Sequence, residues 1–146
     1  MNNEILIVGN SPVAKINLIS DFNFVILGRG IFYLKHNVLI KNWITRKCFL
    51  KLNINRKIEN IHIISENYRD EYGIVNPSLG YYAVMFYLNK NYKVNITGFT
   101  LDINSENINF GSWWDLKDER DNLRHNILKE TIILNKLKNK NVIYEL

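Results

Sequence analysis

Cysteine is nearly absent: Cys48 is the only one in 146 residues, which excludes an intrachain disulfide and a cysteine-built zinc site. A reducing, cytoplasmic compartment fits that usage. No stretch approaches the roughly 18 apolar residues that a membrane-spanning helix needs, and Met1 to Gly9 carries no basic flank ahead of a long apolar run. Neither an integral membrane segment nor a secretion signal is expected. The chain also lacks a Walker loop, a Gly-x-Gly-x-x-Gly fingerprint and an Asp-x-Asp pair, so ATP chemistry and metal-dependent nucleotide chemistry both lose support. No internal repeat or low-complexity linker divides the sequence. Alanine is confined to Ala14 and Ala83 while isoleucine, asparagine and lysine abound, a pattern of codon bias in an AT-rich genome rather than of chemical adaptation.

What is present suits one globular domain over residues 1–146, with 47% hydrophobic and 23% charged residues. The net charge of +5 is inflated by the same codon bias, and its lysines are spread out, Lys136, Lys138 and Lys140 being the nearest to a run. No nucleic-acid partner is expected.

Short apolar runs closed by turn formers set the architecture. Glu4 to Asn10 reads as a buried strand running into Gly9-Asn10-Ser11-Pro12, with Pro12 in the first turn of a helix through Leu18. Phe22 to Leu27, Trp43 to Leu52 and Ile58 to Ser65 read as three more strands, the first ending at Gly28-Arg29-Gly30. Pro77-Ser78-Leu79-Gly80 opens a buried helix through Leu88, stopped by Asn89-Lys90-Asn91. Lys93 to Phe99 follows as a strand and Leu101 to Asp121 as a long, largely polar loop. Asn122 to Lys138 has helical spacing, and Val142 to Tyr144 adds a last strand. This alternation predicts an α/β, Rossmann-like domain, a mainly parallel sheet with helices on both faces. Ligands of such sheets bind beyond the carboxyl ends of the strands.

Four features carry candidate chemistry. The turn Gly9-Asn10-Ser11 joins a strand to a helix, where backbone N–H groups can receive a phosphate, although an ordinary capped turn looks the same. Ser78 and Gly80 form a second helix start with the same two readings. His125 has a side chain able to act as general base for a sugar hydroxyl, or to serve only as a surface or structural histidine. Glu130, five positions on and about 140° around the helix, needs a separate role. Trp113 and Trp114 stack on a sugar or base, or cover the core. His36 and His62 have no motif around them.

Taken in order, these segments resemble the eukaryotic-type sialyltransferase family. Ile7-Val8-Gly9-Asn10-Ser11 is similar to the opening of its large sialyl motif. Pro77-Ser78-Leu79-Gly80, the apolar helix and Gly98-Phe99 are similar to its small motif, Ser112-Trp113-Trp114-Asp115 to its third, and His125 with Glu130 to its very small motif. Four ordered motifs span most of the chain. It departs from the pattern in having Arg29 near the expected second asparagine, Ser112 in place of histidine and Leu79 in place of a hydroxyl residue, and it is shorter than typical members.

The resemblance implies metal-independent, inverting transfer of sialic acid or a related sugar from a CMP-sugar donor to a glycan acceptor, with no cofactor and no metal. Asn10 and Ser11 would then contact the CMP phosphate or ribose, alongside Gly9; Ser78 and Gly80 would contact the nucleotide or the sugar carboxylate; Trp113 or Trp114 would contact the base. His125 would be the catalytic base and Arg29 a cation at the phosphate. A noncatalytic nucleotide-binding or partner-binding domain derived from that fold is the alternative, favoured by Ser112.

Overall fold

The computed structural model describes residues 3–11, 13–53, 55–101 and 127–146. Six strands form one sheet: β1 (Glu4–Val8), β2 (Phe24–Leu27), β3 (Ile40–Thr45), β4 (Ile58–Ile63), β5 (Lys93–Thr97) and β6 (Ile143–Glu145). All five pairings are parallel, in the order β4-β3-β2-β1-β5-β6. The α/β, Rossmann-like architecture is that expected from the alternating runs.

Both faces of the central strands are covered, which is why these strands read as unbroken apolar runs rather than alternating ones. Ile5, Ile7, Val25, Leu27, Ile44, Val94 and Ile96 share one cluster with α1 (Leu79–Asn89) and α2 (Ile127–Asn139). Leu6, Val8, Phe24, Ile26 and Trp43 belong to the cluster on the opposite face. The period of two within each strand therefore divides the residues between two half-cores.

That second face is covered differently from expectation. The helix expected through Leu18 is a 3-10 segment at Ile16–Asp21, and two more 3-10 segments lie at Gly28–Tyr33 and Lys47–Asn53. The strand expected over Trp43 to Leu52 is corrected as well: the sheet-bonded portion starts earlier, at Ile40, and stops at Thr45. Phe49 and Leu50 instead pack down onto the second cluster from the 3-10 turn. Apolar residues spaced closely enough to read as a strand are satisfied equally well by a short helical turn laid on the sheet.

α1 starts and stops where its sequence signals place it. Ser78 caps it, its Oγ accepting from the Tyr81 N–H at 3.4 Å. At the other end Asn91 takes a positive φ of 63°, and the Tyr92 N–H returns to the Tyr87 carbonyl at 3.0 Å. α2 closes in the same way, with Asn141 at φ 57° and the Val142 N–H bonded to the Leu137 carbonyl. Asparagine is the non-glycine residue best suited to this left-handed closure. Among the described residues, no helix is long and apolar enough to cross a membrane.

Candidate functional site

Strand order fixes where a site can form. From β1 the chain steps outward through β2, β3 and β4, then α1 carries it back so that β5 pairs on the other side of β1. The connections leaving β1 and β5 therefore run to opposite sides of the sheet, the switch point at whose carboxyl ends open α/β sheets place a ligand crevice.

The two turns are packed backbone against backbone. The Gly9 N–H bonds the Thr97 carbonyl at 2.7 Å and the Ser11 N–H bonds the Gly98 carbonyl at 2.9 Å. A Cβ on Gly9 would lie 2.4 Å from the Gly98 carbonyl oxygen, and one on Gly98 would lie 2.5 Å from the Ala14 Cβ. The Lys15 N–H is held by Thr97 Oγ1 at 2.9 Å. Ser11 is buried, so its hydroxyl is part of this packing.

Asn10 and the Gly28-Arg29-Gly30 turn form the next wall. The Asn10 Nδ2 reaches the Leu27 carbonyl at 3.5 Å, and its Oδ1 would lie 2.8 Å from a Cβ on Gly30. Gly28, at φ +47°, leaves room for Leu79 at the first turn of α1. The buried Trp43 ring locks this bend by donating its Nε1–H to the Gly28 carbonyl at 2.8 Å. Gly80 lies against the Phe99 ring, 3.0 Å from the position of an added Cβ, and against Leu27. The structure thus brings Gly9, Asn10, Ser11, Arg29, Ser78 and Gly80 to the carboxyl ends of the central strands and the adjoining start of α1. Trp113, Trp114 and His125 lie outside the described residues.

Beneath the α1 start runs a polar network that motif reading captured only in part. The Ser78 N–H donates to Glu130 Oε2 at 3.0 Å and its hydroxyl to Oε1 at 2.6 Å. Arg46, just beyond β3, donates to the Pro77 carbonyl and also acts electrostatically on Glu130. Asp70 anchors the preceding loop: its carboxylate accepts from the Tyr68 and Tyr81 hydroxyls and from the Tyr72 and Ile74 N–H groups. Burial, reinforced by the Asp70 carboxylate, raises both phenols well above their ordinary range. His62 sits half-buried between β4 and α1 in contact with the Tyr82 hydroxyl at 2.6 Å, and burial lowers its pKa. Glu130 was legible as a residue with its own role; Arg46 and Asp70 belong to no motif, and only the fold brings them to Ser78 and Tyr81.

Glu130 is 3% exposed, and burial raises its pKa above the ordinary value of 4.5 in spite of the Ser78 hydrogen bonds. The folded state then holds this proton more tightly than the unfolded chain. Its contribution to stability is fully present below pH 4.5 and is lost as pH rises through the higher folded value. Glu130→Gln should remove that falling limb from a plot of unfolding free energy against pH. Glu130→Ala, which strips both acceptors from Ser78, should cost about 2–4 kcal/mol in urea unfolding at pH 7. Identical pH profiles for wild type and Glu130→Gln would show that the carboxylate is not desolvated in this way.

Among the described residues, no group of three or more histidine, cysteine, aspartate or glutamate side chains is placed to hold a metal ion. No protein-family model, curated protein or solved structure matches the chain.

Proposed function

We propose that this domain binds a CMP-sugar in a crevice beyond the carboxyl ends of β1, β2 and β5, above the packed β1 and β5 turns, and transfers sialic acid or a related sugar to a glycan hydroxyl. The observation supporting this reading is the meeting of Gly9-Asn10-Ser11 with Ser78-Leu79-Gly80, two segments some 70 residues apart that share motif resemblance and a wall of Leu27, Gly28 and Phe99. With the Gly9 and Ser11 N–H groups bonded to the Thr97 and Gly98 carbonyls, the phosphate and the sugar carboxylate would fall to Asn10 and to the first backbone N–H groups of α1 after Ser78. Ser78 would contribute mainly through the backbone that follows it, because its own N–H and hydroxyl are engaged by Glu130.

In the proposed reaction the acceptor oxygen attacks the anomeric carbon from the face opposite the nucleotide. His125 takes the hydroxyl proton, and CMP leaves with the bonding electron pair of the broken glycosidic bond. Electrostatic stabilisation of the departing phosphate comes from the crevice donors and from Arg29.

A thermal-shift series in EDTA-containing buffer tests donor binding. At a hundredfold excess over its dissociation constant CMP should stabilise the fold by about 2.7 kcal/mol, a rise in Tm of about 5–10 °C. UDP and ADP should act more weakly, and Asn10→Ala should remove the CMP response. Equal shifts with all nucleotides, no shift, or a response that requires added Mg²⁺ or Mn²⁺ would overturn the reading.

A further inference from the structure

Arg29 sits between two close approaches. On one side Gly28 meets Leu79 of α1, and on the other Gly30 meets the Asn10 amide. Its guanidinium carbon lies 5.2 Å from the centroid of the Phe49 ring, which also lines the Gly28 bend, 3.4 Å from an added Cβ. Among the described residues no carboxylate or carbonyl takes the Arg29 N–H groups. Two other arginines are spent on backbone carbonyls: Arg46 on that of Pro77, and Arg56 on those of Leu34 and Lys35. Among the described residues, Arg29 is therefore held by its cation–π approach to Phe49.

This arrangement suits anion capture. A ring beneath a guanidinium is attracted to the cation and restricts its rotamers, while the planar fork of donors at the edge stays open for two oxygens of one phosphate. Phe49 reaches this place because the chain turns at Arg46 into the 3-10 segment Lys47–Asn53 instead of continuing as β-strand. We propose that Arg29 is the phosphate-binding cation of the crevice and that Phe49 is its positioning residue, so the site selects phosphorylated nucleosides over the neutral nucleoside. The inference rests on the proposed cytidine-nucleotide reading, in which Arg29 already faces the phosphate, and adds to it the residue that positions Arg29 and the resulting selection against the neutral nucleoside.

The test is calorimetric titration of cytidine, CMP and inorganic pyrophosphate into wild type, Arg29→Gln, Phe49→Leu and Phe49→Tyr, with unliganded Tm as the check on folding. Wild type should bind CMP at least about tenfold tighter than cytidine, as a charge-assisted contact provides. Arg29→Gln should erase most of that ratio. Phe49→Leu, which keeps apolar bulk but removes the π face, should lower it about three- to fivefold while cytidine affinity stays constant, and Phe49→Tyr should restore it. An unchanged ratio in Arg29→Gln or Phe49→Leu overturns the inference and leaves cytidine binding standing. Equal loss of CMP and cytidine affinity in Phe49→Leu overturns it too, since the ring would then support the crevice as a whole. If no cytidine compound binds wild type, the nucleotide reading fails; pyrophosphate binding that disappears in Arg29→Gln then upholds the anion platform, and its absence or persistence overturns that as well.

Discussion

His125→Ala is expected to lower sugar transfer by roughly 10²–10⁴ while leaving the CMP dissociation constant nearly unchanged, the usual separation for removal of a general base. His125 is the one histidine of three that falls within the motif resemblance, and it precedes Ile127–Asn139 by two positions in the sequence. The control is His36→Ala, because His36 is exposed; His62 is a poorer one, since its ring packs against Tyr82 and Phe86. Wild-type transfer by His125→Ala would show that another group takes the proton. Loss of CMP binding alongside transfer would make His125 a donor contact or a support, and the mechanism would need another base.

Gly98→Ala is expected to destabilise the fold by about 3–5 kcal/mol, a large part of the roughly 5–15 kcal/mol available to a domain of this kind. Two costs combine there. The residue holds φ at +75°, and an added Cβ would lie 2.5 Å from the Ala14 Cβ and 2.8 Å from the Gly9 carbonyl oxygen. Neither neighbour is the free end of a flexible side chain, so the backbones of the two turns must separate. Gly73→Ala isolates the first cost: φ there is +78°, but the nearest atom is the Lys129 Nζ at 3.4 Å, so about 1–2 kcal/mol is expected. Urea unfolding of both variants gives the comparison. Equal losses would mean that the close approach of the β1 and β5 turns contributes nothing beyond backbone strain. Because this approach would form the floor of the proposed crevice, Gly98→Ala should weaken CMP binding even where the fold survives.

The residues that were easy to read are those whose signal is local. The run Glu4-Ile-Leu-Ile-Val8 followed by glycine is a buried strand whatever surrounds it, and Ser78 with Asn91 brackets a helix through cap chemistry that acts within a few residues. The extent of the strand near Trp43 was not legible, because apolar residues alone do not distinguish extended chain from a 3-10 turn lying on a sheet. Phe49 was misplaced for that reason, and with it the ring beneath Arg29.

The sequence by itself determined the succession of buried strands, the caps of α1 and the glycines at the strand ends. Each follows from interactions between near neighbours in the chain. Only the tertiary structure decided that β5 returns to the far side of β1, that Gly98 presses against Gly9, and that Glu130 holds Ser78 from 52 residues away. These outcomes depend on which strand edges pair and on how two half-cores fill. Many distant side chains contribute to each, and no short stretch of sequence carries a sum over distant contacts.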